Sequence, residues 1–149
     1  MNAPFHNEVQ NLYQQLIDAW NRRDAKGMSE QFAEHGVQIG FDGSKVIGQE
    51  EIFLHVKPIF EEHPTAPFVT KVKDIRSLGN DAAILHAIAG MIQPGKSDIE
   101  PAVNAHQTLV AVKKDHGWRI ELFQNTPAQF HGRPELVEEM TEELRQLLC

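Results

Sequence analysis

His86 and His106 are the side chains in this sequence best suited to proton chemistry, because imidazole titrates near working pH. Both lie in stretches of β period, so register decides whether they meet. A tight turn at Pro94-Gly95 sets residue 86 opposite residue 103. A loop reaching Pro101 sets it opposite residue 110, with the histidines about 13 Å apart at ~3.3 Å per residue. A register between these brings them into contact. The competing reading for each is a hydrogen-bonded histidine in or beside the core. No carboxylate stands two or four positions from either one, and there is no His-x-His or Cys-x-x-Cys spacing, so no metal site is expected. Nor is there a Gly-x-Ser-x-Gly, a phosphate loop or a dinucleotide fingerprint, and no cofactor is expected.

The elements that would position these residues follow from periodicity. Val9, Leu12, Tyr13, Leu16, Ile17 and Trp20 form one apolar stripe, which predicts a helix over 8–23. Asp24 is a suitable N-cap for a second, short helix on which Ala25, Met28 and Phe32 face one way, ending near Gly36. Val37, Ile39 and Phe41 alternate, and Asp42-Gly43 before Lys45-Val46-Ile47 predicts a hairpin. Gly48 opens a third helix with Ile52, Phe53, Val56, Ile59 and Phe60, which Pro58 should kink or shorten.

Four β segments follow, at about 68–78, 81–93, 103–114 and from 118, with turns at Gly79-Asn80, Pro94-Gly95 and His116-Gly117. In the last one Trp118, Ile120 and Leu122 share a side, but Phe123 is apolar where a polar residue is due. A final amphipathic helix begins at Pro134, which suits position N1, and fills 133–149. Segregated helices and strands predict an α+β single domain over 1–149. Residues 81–93 are apolar on both parities, so both sheet faces are expected to be covered, one by helices and the other by a second copy in a symmetric homodimer.

Composition narrows the function classes. With 14 Lys+Arg against 21 Asp+Glu the formal net charge is −7, which disfavours a nucleic-acid partner. No run approaches the roughly 18 apolar residues of a membrane span, and MNAPFHNEVQ lacks a leader pattern, so no membrane partner is expected. The single cysteine is Cys149, read as an exposed, unreactive thiol in a reduced, cytoplasmic protein.

Several motifs occur in an order that resembles the nuclear transport factor 2-like superfamily, over about residues 6–130. They are Ala19-Trp20-Asn21-Arg22-Arg23-Asp24, then Phe32-Ala33-Glu34, Gly48 before Ile52, and Trp118-Arg119-Ile120. The closing Phe123-Gln124-Asn125-Thr126-Pro127 is similar to the SnoaL-like branch often labelled SgcJ/EcaC-like. The resemblance implies a cone-shaped α+β barrel: three N-terminal helices packed on a curved, mostly antiparallel sheet, with a C-terminal helix and a pocket at the wide end. In this sequence the pocket would draw on Leu16, Trp20, Phe32, Phe41, Phe60, Ile88, Thr108, Phe123 and Asn125, with His86 and His106 as acid–base groups.

The family's known chemistries match unevenly. A ketosteroid isomerase needs a tyrosine, a carboxylate base and a second acid, and those positions fall at Leu16, Gly40 and near Ala105. An epoxide hydrolase needs an Asp–Arg–Asp set, for which Asp74, Arg76 and Asp98 are candidates, but Lys71 and Lys73 beside them mark a solvated face. A cyclase acid on the late strands could only be Glu121, which alternation places with Arg119 as a salt bridge. The expectation is therefore a pocket for a small apolar organic molecule. It would serve a cofactor-independent isomerase, cyclase or hydrolase, or else a non-catalytic binding or oligomerisation module of the same fold.

Overall fold

A computed structural model describes residues 5–115 and 117–148. The elements are α1 (His6–Asn21), α2 (Ala25–Ser29), β1 (Phe32–Ile39), β2 (Lys45–Ile47), α3 (Gln49–Glu62), β3 (Phe68–Ser77), β4 (Ala82–Met91), β5 (Ala105–Lys114), β6 (Gly117–Pro127) and α4 (Pro134–Arg145). Cys149 and the His116 half of the expected His116-Gly117 turn lie outside the described residues. None of the described helices is long and apolar enough to cross a membrane.

The fold is mixed α+β, built on one six-stranded sheet of order β2-β1-β6-β5-β4-β3. All neighbouring strands run antiparallel except β1 and β6, which are parallel. β2 and β3 are edges, so the sheet is open, and the closed barrel implied by the resemblance is corrected. The helix arrangement is corrected too. The β1–β2 hairpin stands between α2 and α3, so there is no block of three consecutive helices.

The apolar stripe of α1 explains where it lies: Val9, Leu12, Tyr13, Leu16 and Ile17 are all buried against the inner face of the sheet. Asp24 caps α2, its Oδ1 accepting from the Gly27 N–H at 2.9 Å. That helix stops at Ser29, short of the expected Gly36. The reason is competition from the sheet: Ile120 N–H donates to Gln31 O, and Phe32 opens β1 alongside β6. Pro58 does not shorten α3, which runs unbroken to Glu62. The bond lost at residue 58 would have gone to the Leu54 carbonyl, and both residues are exposed, so water can satisfy that oxygen.

Helix α4, with Pro134 in its first turn, packs on the outer face of the sheet. Met140 and Leu144 meet Ile88 and Ile99 there. The approach depends on Gly90, where a Cβ would stand 2.8 Å from Leu144 Cδ1. Salt bridges from Glu143 to Lys71 and Lys73 and from Arg145 to Asp98 hold the helix in place. The outer face is thus partly covered by the chain's own last helix, where a second copy alone had been expected.

Candidate ligand pocket

Between α3 and the inner face of the sheet lies a cavity of about 320 Å³. Its walls are largely apolar, with Met28, Val56, Ile59, Phe68, Met91 and Phe123 among the lining residues. Trp20, at the end of α1, forms one wall. Its Nε1 donates to Ala66 O at 3.0 Å, and its ring stands 5.2 Å from those of Phe60 and Phe68. The indole is therefore fixed before any ligand arrives. Phe41 and Asp42, in the turn after β1, are exposed beside the opening.

Of the nine expected ligand-binding residues, Trp20, Phe41, Phe123 and Asn125 line this cavity. The other five do not. Leu16 and Phe32 are core residues beneath it, and Phe60 backs Trp20 without reaching the cavity. Ile88 and Thr108 point to the opposite side of the sheet, Ile88 beneath α4.

The histidines are corrected in the same way. In β4 and β5 the buried inner parity is Leu85, Ala87, Gln107 and Leu109, which leaves His86 and His106 on the outer face. They do touch: His86 Nε2 stands 2.9 Å from His106 Nδ1, with the rings stacked at 5.0 Å. The register is one in which His86 faces Thr108 and Ile88 faces His106, so the two are diagonal neighbours. Partial burial, with the neighbouring His86 adding to it, holds the His106 imidazole below its ordinary value. Neither ring lines the cavity, so they cannot be its acid–base pair. Among the described residues no group of three or more His, Cys, Asp or Glu could hold a metal.

The strand end at residues 118–127 supplies two of the four expected residues that line the cavity. A bulge at Glu121 lets Ala111 pair with Ile120 and Val110 with Leu122. Leu122 is thereby turned to the outer face, away from the side of Trp118 and Ile120, while Phe123 and Asn125 turn inward. Among the described residues Arg119 makes no salt bridge with Glu121, the bulged residue; its Nη1–H donates to Trp118 O instead. Asp74 and Arg76 pair at 3.5 Å on an exposed strand while Asp98 binds Arg145, so the Asp–Arg–Asp set does not assemble.

Sequence reasoning missed a polar relay behind Asn125. The Tyr13 hydroxyl donates to Gln107 Oε1 at 2.5 Å, and Gln107 Nε2–H donates to Asn125 Oδ1 at 2.9 Å. Tyr13 and Gln107 are 1% and 0% exposed. Burial pushes the Tyr13 phenol well above its ordinary value, outweighing an opposing Thr70 hydrogen bond, so it stays a donor. The relay points Asn125 Nδ2 away from its own chain of bonds. Gln38, the inward residue of β1 beside Phe123, was missed as well: it is 7% exposed, and its Oε1 has no hydrogen-bond partner among the described residues. Its signal was available, a glutamine between two apolar strand residues. The titratable groups in the lining are His55 and Asp42, and Asp42 Oδ1 accepts from Ser44 N–H at 2.9 Å, which holds its carboxyl below the usual range.

Residues 9–125 match the model of the SnoaL-like domain family. The chain belongs to that family. None of the curated proteins matches it. Among solved structures, a Nostoc punctiforme domain of unknown function with a cystatin-like fold is similar at a TM-score of 0.81 and 24% identity, covering 99% of this chain and 94% of that one. A ketosteroid isomerase-like protein from Erwinia carotovora atroseptica is similar at 0.69 and 14%, covering 86% and 99%. An NTF-2 like protein of unknown function from Shewanella oneidensis is similar at 0.64 and 21%, covering 80% and 97%. These identities speak for the shared fold.

Proposed function

We propose that this SnoaL-like domain binds a small, largely apolar organic molecule in the cavity between α3 and the sheet. The observation that carries this reading is the cavity itself: about 320 Å³, apolar-walled, with a pre-positioned indole and a few convergent amides. Binding ranks ahead of turnover. The acid–base groups in the lining are His55 and Asp42, and the Asp42 carboxylate is committed to its own turn. An isomerase, cyclase or hydrolase built here would therefore depend on His55. The likeness to a ketosteroid isomerase-like protein keeps that second reading in view, at the level of fold. The closing Phe123-Gln124-Asn125-Thr126-Pro127 favours the SgcJ/EcaC-like branch.

Two methionine methyls supply the test. Met28 and Met91 line the cavity, whereas Met140 lies under α4 on the other side of the sheet. Titration with tetralin, an apolar bicyclic probe, is expected to shift the methyl NMR signals of Met28 and Met91 saturably and to leave Met140 in place. Absence of saturable shifts, or equal shifts at all three, would refute the reading.

A second copy of the chain fits the uncovered part of the outer face. Strand register sets Ile47, Val37, Leu122, Val110 and Ile84 side by side across five strands. At ~4.8 Å per strand this row is about 19 Å long. All five side chains are at least partly exposed, Ile47 at 46%. A twofold axis through the row would lay it on its own copy, the self-complementary arrangement of a homodimer.

A further inference from the structure

Two amides with unused hydrogen-bonding groups meet at one place in the cavity wall. Gln38 lies on β1 and pairs with Phe123 of β6; Asn125 lies two residues further along β6 on the same face. Strand geometry puts their Cα atoms about 8 Å apart, close enough for one small polar group to touch both side chains. The relay from Tyr13 through Gln107 holds Asn125 Oδ1 as an acceptor, so the group Asn125 offers is its Nδ2–H donor. Gln38 offers a buried Oε1 acceptor with no partner among the described residues. A buried amide oxygen left unpaired is costly, and a ligand that donates to it removes that cost.

Charge narrows the chemistry further. The titratable side chains of the lining are Asp42, in the exposed turn after β1, and His55 on α3, so the amide pair itself carries no charge. An anion would accept well from Asn125 but would set its charge against Gln38 Oε1 in a largely apolar cavity. A ligand group with one acceptor and one donor side by side satisfies both amides at once.

Resting on the ligand-binding reading above, we propose that Gln38 and Asn125 form a recognition site for a neutral, mostly apolar molecule bearing adjacent C=O and N–H groups on one side, a lactam or other cis amide. The ligand carbonyl accepts from Asn125 Nδ2–H, and the ligand N–H donates to Gln38 Oε1. Gln107 and Tyr13 are positioning residues, which set the polarity of Asn125 without touching the ligand.

The probes are dihydrocarbostyril (a bicyclic lactam), its N-methyl derivative, tetralin, and tetralin carboxylate as the anion, titrated against the full chain by calorimetry and the Met28 and Met91 methyl shifts. Dihydrocarbostyril is expected to bind about tenfold tighter than the N-methyl derivative, one hydrogen bond in a buried setting, and tighter still than tetralin, which can make neither bond. Gln38→Met is expected to erase the preference over the N-methyl derivative without weakening tetralin. Asn125→Leu, a second variant from the neighbouring strand, is expected to weaken both carbonyl probes and spare tetralin. Equal binding of lactam and tetralin, a uniform loss in Gln38→Met, or tightest binding of the carboxylate would each overturn this proposal while leaving an apolar binding pocket standing. No saturable binding of any probe would instead overturn the binding reading itself.

Discussion

Removing one oxygen from the Tyr13 side chain tests whether the buried relay has the polarity described. In Tyr13→Phe the ring keeps its place in the core, but Gln107 Oε1, on a side chain that is 0% exposed, loses its donor. A buried acceptor left unpaired costs about 1–3 kcal/mol, so a loss near 2 kcal/mol is expected. For a chain of this size that is a fall in Tm of roughly 4–8 °C. The partner change Gln107→Met leaves the Tyr13 hydroxyl without its acceptor and is expected to cost a similar amount. Replacing both partners by apolar groups removes the mismatch, so the double variant should cost clearly less than the sum of the singles, a coupling of about 1 kcal/mol. Urea unfolding of the four proteins supplies the cycle. Alkaline pH gives an independent reading, because Tyr13 is the chain's one tyrosine. Burial raises its pKa in the folded state, so above the ordinary value of 10.0 the unfolded chain sheds a proton that the folded chain keeps. The stability contributed by Tyr13 is fully present below that pH and is lost as pH rises above it. The wild type should therefore lose stability faster than Tyr13→Phe on the alkaline side. A Tyr13→Phe protein within about 0.5 kcal/mol of wild type, the spread of an ordinary surface substitution, would refute the relay.

Two further outcomes concern the outer face. Leu144→Ala leaves a cavity over Gly90 and Ile99, at a residue that is 0% exposed, and is expected to lower unfolding stability by about 2–4 kcal/mol; a change under 1 kcal/mol would mean that α4 is dispensable to the fold. Light scattering is expected to give a dimer for wild type and a folded monomer for Val110→Lys, which places a charge inside the five-strand apolar row; a monomeric wild type would eliminate the homodimer.

What was legible in the sequence was whatever depends on neighbours along the chain. The stripe from Val9 to Trp20, the Asp24 cap, the Pro134 start and the four late strands rest on i, i+4 spacing, side-chain capping or period two, and each stands in the structure. Where two faces compete for apolar residues, the period alone does not say which one is inside. Val37 and Ile39 alternate as a core-facing strand would, yet they face outward, and the inward residue of β1 is the polar Gln38. His86 and His106 were misplaced for the same reason, because β4 is apolar on both parities and either set could have lined the pocket.

Asn125 was legible, through a break in pattern. The apolar Phe123 in a polar slot is the trace of the bulge at Glu121, and a bulge reverses every side chain after it. Its partners were not legible. Gln107 and Tyr13 lie 18 residues from Asn125 and 94 residues from Gln107 respectively, and only the packing of α1 against β5 and β6 brings them together. The consequence is chemical. An isolated asparagine at a pocket wall can turn either end of its amide to a ligand, whereas Asn125 is held as a donor by a tyrosine that cannot ionise at ordinary pH. On the proposed reading, ligand preference at this wall would be set from inside the helix–sheet core, and a change at Tyr13 should alter which ligands bind even though its hydroxyl would touch none of them.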